Sequence, residues 1–134
     1  MRLNQIRSQQ IPAKALITKK ALLSGPVGCG KTTIALALAE HHTGIEYNPG
    51  VVDIRRINCA EITIDDLRKL ILELRYKAFD QRAKCKGYIL DELHVLPDKC
   101  EKALLIPLEE DTCNFWAGCT NHPDQVSEPL QSRF

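Results

Sequence analysis

The eight residues Gly25-Pro26-Val27-Gly28-Cys29-Gly30-Lys31-Thr32 fit the pattern G-x-x-x-x-G-K-[ST] in full. Each residue type answers a need of phosphate chemistry. A triphosphate takes several main-chain N–H donors converging on it, so the chain must wrap tightly. Gly25, Gly28 and Gly30 permit the unusual dihedrals and leave no side chain in the way. Lys31 adds a cation for the β- and γ-phosphates, and the Thr32 hydroxyl is of the kind that coordinates Mg²⁺. Pro26, Val27, Cys29 and Thr33 complete the expected wrap around the nucleotide. Well downstream, Tyr88-Ile89-Leu90-Asp91-Glu92 is an apolar run ending in two carboxylates.

These groups act together only if the chain brings them together. A short apolar strand, residues 21–24, runs into the cradle, and a helix over 31–42 comes after it, ready for Gly44 to stop it. A helix opening directly after the loop turns its N-terminal amides and dipole toward an anion. Further strands are expected over 51–59, 87–90 and 115–119. Helices are expected over 65–79 and 99–109, with Pro107 ending or kinking the second. On the first of these, Leu67, Leu70, Ile71, Leu74 and Ala78 share one face, and Thr63 with Asp66 reads as a capping box. Val27 and Leu72 are assigned to the core. Strands alternating with helices imply crossovers and a parallel sheet. In P-loop enzymes, a strand beside the cradle ends in an Asp that holds Mg²⁺. Asp91 takes that role together with Thr32, and Glu92 is the group that would orient and polarise an attacking water.

The run from Lys86 to Leu96 resembles the second nucleotide motif of AAA+ ATPases, particularly those of clamp loaders. Ala103-Leu104-Leu105 and Leu108-Glu109-Glu110 resemble the helix that comes after it there. Asn121 stands at a strand end, where that family has its sensor-1 polar residue. The ending Glu128-Pro129-Leu130-Gln131-Ser132-Arg133-Phe134 is similar to the EPIQSRC signature of replication factor C small subunits, with Phe134 in place of the Cys. The likeness runs from about Ala21 to Phe134 and extends to the tau-gamma subunits of DNA polymerase III.

The resemblance implies a three-layer α/β/α P-loop fold with a parallel sheet, one ATPase core over residues 1–134, and no helical lid within the chain. It implies ATP and Mg²⁺ as ligands. It implies as partners other AAA+ subunits, a sliding clamp and primer–template DNA. It gives Asn121 a contact to the attacking water or γ-phosphate. Arg133 becomes an arginine finger serving a neighbour's ATP, a role suited to a planar, permanently charged fork. Asn58 becomes a restraint on Glu92.

Composition narrows the remaining classes. Apolar residues make up 44% and charged residues 26%, which is ordinary for a globular chain. A net charge of +1 offers no general attraction for nucleic acid. No apolar run reaches the ~18 residues of a membrane span, and the polar start excludes a signal peptide, so a cytoplasmic protein is expected. The six cysteines form no C-x-x-C pair and read as scattered reduced thiols. His41 and His42 read as the positive end of a helix rather than a metal pair, and His94 as structural. No N-K-x-D base-reading motif for guanine occurs. Besides clamp loading, the residues accommodate Holliday-junction branch migration, helicase loading, or a nucleotide-binding scaffold that does not hydrolyse.

Overall fold

The computed structural model describes residues 17–26, 28 and 30–134. Four strands, β1 (Lys20–Ser24), β2 (Ile54–Asn58), β3 (Gly87–Asp91) and β4 (Phe115–Thr120), form one sheet in the order β1-β4-β3-β2. All pairings are parallel, with Ser24 level with Thr120 and Asn58 level with Asp91. Because every strand points the same way, the carboxyl ends of β1, β3 and β4 share one edge. That edge is where open α/β sheets bind ligands.

Alternation along β3 and β4 divides the core into two layers. Ile89, Phe115, Ala117 and Cys119 face α1 (Lys31–Thr43), which contributes Ala35, Leu38 and Ala39. Tyr88, Leu90 and Trp116 face the opposite layer, made by α2 (Ile64–Glu73), α3 (Asp98–Glu110) and the short α4 (Glu128–Gln131). Helices on both faces of a parallel sheet give the expected three layers.

The capping box of α2 is present: Thr63 accepts from Asp66 N–H at 3.1 Å, and Asp66 accepts from Thr63 N–H at 3.4 Å. The helix stops at Glu73 and not near Phe79 as its apolar spacing suggests. The last turn tightens, with Leu74 N–H bonding to Ile71 O and Arg75 N–H to Leu72 O. The Lys86 ammonium then caps the Glu73 carbonyl. Beyond it, the Asp53 carboxylate takes the N–H groups of Phe79 and Asp80, both at 2.7 Å, and so holds the chain outside the helix. Leu72, expected in the core, is 53% exposed. Strand β2 begins at Ile54 because Asn48 to Val51 close a turn, with Val51 N–H on Asn48 O at 2.9 Å. Helix α3 does not end at Pro107 but continues to Glu110.

The end of the sheet away from the strand carboxyl termini is fastened by side chains. Asp111 accepts from Trp116 Nε1 at 2.8 Å and from Asn114 Nδ2 at 3.0 Å. Asn114 in turn accepts from Lys86 N–H at 2.9 Å, just before β3. Burial pulls the Asp111 carboxyl upward, but the donors on it outweigh burial and hold it below the usual aspartate range.

Gly118, midway along β4, permits a close approach. A β-carbon there would stand 2.7 Å from Leu93 Cδ2, 3.3 Å from Leu22 Cδ1 and 3.4 Å from Phe134 Cζ. Leu93 opens the 3-10 turn Leu93–Val95 just past Asp91 and Glu92, so this gap lets the acidic strand end fold down onto the sheet.

Candidate nucleotide site

Gly25, Gly28 and Gly30 stand between β1 and α1, and Lys31, Thr32 and Thr33 form the first turn of α1, where an anion would meet the helix N-terminus. Gly28 and Gly30 have φ of +83° and +86°, in the left-handed region where side chains are strained. A β-carbon built on either glycine meets none of the described residues within 4 Å, so both positions border open space. Gly30 is also the N-cap of α1, with no side-chain cap on the helix amides. Lys31 folds back along its own loop, its Nζ donating to Gly25 O at 2.9 Å and Pro26 O at 3.0 Å. Val27 and Cys29 of the expected wrap lie outside the described residues.

Opposite the loop stands Asp91. The Thr32 hydroxyl donates to Asp91 Oδ1 at 3.2 Å, which joins the first turn of α1 to the end of β3. Hard oxygens from a hydroxyl and a carboxylate side by side are a donor set that suits Mg²⁺. The other oxygen, Oδ2, is held at 2.6 Å by Arg56 Nε, from the neighbouring strand β2. Glu92 comes next with a backbone φ of 58°, the one described residue other than glycine with positive φ. Such strain at a polar residue beside a cleft marks functional positions.

Thr32, Thr33, Asp91, Glu92, Cys119, Thr120 and Asn121 line one cleft of about 310 Å³ with the glycine loop. A larger cleft of about 500 Å³ lies elsewhere, between Gly44, Val52, Phe79 and Arg82. It is lined by the carboxylates Glu46, Asp53 and Asp80 but has no phosphate cradle, which the smaller cleft does have.

The structure brings most of the expected site residues together. Gly28, Gly30, Lys31, Thr32, Thr33, Asp91, Glu92 and Asn121 share the cleft, and Pro26 touches it through Lys31. The carboxamide oxygen of Asn121 is buried with no hydrogen-bond partner, an acceptor still to be satisfied. Arg133 stands apart from the cleft. Its guanidinium donates to Pro129 O at 3.0 Å and to Glu109 at 3.2 Å, on the surface formed by α3 and α4. Asn58 accepts from Ala60 N–H at 3.0 Å and closes the turn after β2, while the basic group beside Glu92 is His94. Arg56 and Thr120 do not stand out as site residues in the sequence, and His94, which matches the second-motif histidine of AAA+ ATPases, reads there as structural. The pairing of β2 with β3 makes Arg56 a neighbour of Asp91, and only a known register reveals it.

Burial pushes the thiol of Cys59, beside the site, up to about 12, so it stays neutral and unreactive. Five cysteines are free among the described residues, and no group of three metal-ligating side chains occurs among them. Within the same residues, no helix is long and apolar enough to cross a membrane.

A glycine cradle at a strand–helix junction, facing a second strand that ends Asp-Glu, defines a P-loop nucleotide-binding domain. The chain belongs to the ATPase family associated with various cellular activities (AAA), whose model matches residues 21–134. The family is one of ATPases, which favours ATP as the nucleotide. The replication factor C small subunit of Methanocella arvoryzae is 34% identical over 114 residues, covering 84% of this chain and 34% of that protein. Its counterpart from Archaeoglobus fulgidus is 33% identical over 114 residues, covering 84% of this chain and 35% of that protein. The chain therefore spans about a third of the length of the curated relatives it matches. Among solved structures, the Thermotoga maritima RuvB Holliday junction branch migration motor superposes with a TM-score of 0.71 at 22% identity. That match covers 99% of this chain and 45% of the motor. A DNA polymerase III gamma subunit-related protein of the same organism gives 0.68 at 16% identity, covering 90% of this chain and 41% of that one. At these identities the structural likeness speaks for the fold.

Proposed function

We propose that this chain is the ATPase core of a clamp-loader subunit, acting beside other AAA+ subunits to place a sliding clamp on primer–template DNA. The observation that carries the ATPase part is the meeting of Lys31, Thr32, Asp91, Glu92 and Asn121 in one cleft. The clamp-loading part is supported by relatives named replication factor C small subunit at about one-third identity.

In this reading, the main chain from Gly25 to Thr33 wraps the polyphosphate and Lys31 turns from its own loop carbonyls toward the β- and γ-oxygens. Thr32 and Asp91 are the residues that would hold Mg²⁺, which supplies positive charge against the polyphosphate. Glu92 accepts a hydrogen bond from water and aims its oxygen at the γ-phosphorus, so that the bond to the leaving diphosphate breaks as the new P–O bond forms. Asn121 offers its carboxamide to that water or to a γ-oxygen. Arg133 leaves Glu109 and reaches the nucleotide of an adjacent subunit, where its charge meets the transferring group.

The test is turnover of ATP by the protein alone, with primer–template DNA, and with DNA plus a sliding clamp. Stimulation needing both supports clamp loading. Stimulation by four-way junction DNA without a clamp assigns the core to branch migration instead. Tight ATP binding with no turnover under any condition assigns it to a non-hydrolysing scaffold.

A further inference from the structure

His94 stands two residues after Glu92, in the 3-10 turn that leaves β3. Its side chain is only 7% exposed, while the Glu92 side chain is 57% exposed. His94 Nδ1 lies 2.8 Å from Thr120 Oγ1, and Nε2 lies 3.8 Å from Glu92 Oε2. The ring of His122 packs edge-on against it, centroids 5.0 Å apart at 76°, and fixes its plane.

The hydrogen bonds around Thr120 favour one tautomer of His94. Thr120 is fully buried, and its oxygen accepts from His122 N–H at 3.0 Å. A hydroxyl has one hydrogen to give, and leaving that hydrogen buried without an acceptor is unfavourable. The acceptor within reach is His94 Nδ1. Nδ1 is then the unprotonated nitrogen, and Nε2 carries the hydrogen that faces Glu92. The separation of 3.8 Å is longer than a hydrogen bond, and rotation of the exposed Glu92 side chain closes it. Thr120, the last residue of β4, directly precedes Asn121, so the anchor of the imidazole adjoins the residue read as meeting the γ-phosphate.

We propose that His94 is a positioning residue: anchored on Thr120, it donates from Nε2 to the Glu92 carboxylate and makes the aim of that carboxylate follow the end of β4. The proposal rests on the ATPase reading of the site. A shift of β4 at Asn121 passes through the Thr120 hydroxyl to the imidazole, and from there to the group that orients water. This is a link in addition to Asn121 itself, and it ties hydrolysis to correct seating of the γ-phosphate.

Two measurements test it. Nitrogen-15 NMR of histidine side chains in the whole chain reads the tautomer directly; the expected result is His94 protonated at Nε2, and protonation at Nδ1 overturns the proposal. Kinetics come second. His94→Phe keeps the ring volume and is expected to lower kcat on the order of 10- to 100-fold, the usual cost of a misplaced catalytic group, with nucleotide affinity unchanged. His94→Gln, which can accept from Thr120 and donate to Glu92, restores most of kcat. Thr120→Val gives a smaller loss of the same kind. In a Glu92→Gln background, His94→Phe costs nothing further, which a packing role would not produce. A parent-like kcat in His94→Phe, or an equal fall in both backgrounds, overturns the proposal. A chain with the Nε2 tautomer that never turns over ATP in any assembly overturns the ATPase reading, and the proposal with it.

Discussion

Gly118→Ala tests how the acidic strand end is seated. The new methyl would lie 2.7 Å from Leu93 Cδ2, about 1 Å inside the ~3.5–4.0 Å of a good carbon–carbon contact. Leu93 is buried and cannot swing into solvent. Overpacking of this kind costs roughly 1–3 kcal/mol. Against that, replacing glycine where the backbone tolerates alanine recovers ~0.4–1 kcal/mol through the unfolded chain. The net loss is ~0.5–2 kcal/mol, a fall in Tm of roughly 2–8 °C for a domain of this size. The single tryptophan, Trp116, is fully buried in the core, so its fluorescence reports equilibrium unfolding in urea. Leu93 adjoins Glu92, so kcat is expected to fall as well. Truncating Leu93 removes the clashing atom, and Gly118→Ala in a Leu93→Ala background should therefore add little further loss. A Gly118→Ala protein as stable as the parent, or an equal penalty in both backgrounds, refutes this account of the turn.

Other perturbations probe the cradle, the base of the sheet and the surface arginine. Lys31→Ala, which removes the cation of the cradle, should weaken ATP binding by roughly 10- to 100-fold, measured by calorimetry; unchanged affinity removes Lys31 from phosphate recognition. Because the folded Asp111 carboxyl sits below its ordinary 3.8, its stabilisation is present above that value and is lost as pH falls through the lower folded one. Urea titrations across this acid range should show a shallower pH dependence for Asp111→Asn than for the parent, and equal slopes count against the Asp111 network. Arg133→Ala should bind ATP normally yet lose on the order of 10³-fold in turnover when every subunit carries it. Mixing it with Lys31→Ala should restore part of the rate, and no restoration in a concentration-dependent ATPase counts against action in trans.

The parts of the site that read clearly from sequence are those built by neighbours along the chain. The cradle, the strand ending at Asp91-Glu92 and the Thr63–Asp66 cap each need only a few consecutive residues. Features invisible in the sequence depend on contacts between distant segments. Helix α2 ends at Glu73 because Lys86 caps its last carbonyl and Asp53 holds Phe79 and Asp80 outside the helix. Neither contact is visible in a 3.6-residue period. Leu72 carries an apolar side chain at a position that the arrangement of the layers leaves open to solvent. Pro107 alone suggests a break in α3, yet the packing of Leu104 and Leu108 carries the helix past it. In sequence His94 matches the second-motif histidine yet reads as structural, because its partner, Thr120, lies on another strand. Arg56 resembles a surface charge for the same reason.

The side-chain fastenings at the far end of the sheet give the domain a mechanical direction. Asp111 and Asn114 pin the entrances to β3 and β4 with short bonds to main-chain and indole donors, and Asp53, just before β2, holds Phe79 and Asp80. At the other end, the strands leave through a loop with two left-handed glycines and a turn strained at Glu92. The fastened base is therefore expected to open last, and Lys31 lies at the opposite end of the sheet from it. Amide exchange should be slower around Lys86 and Phe115 than at Glu92.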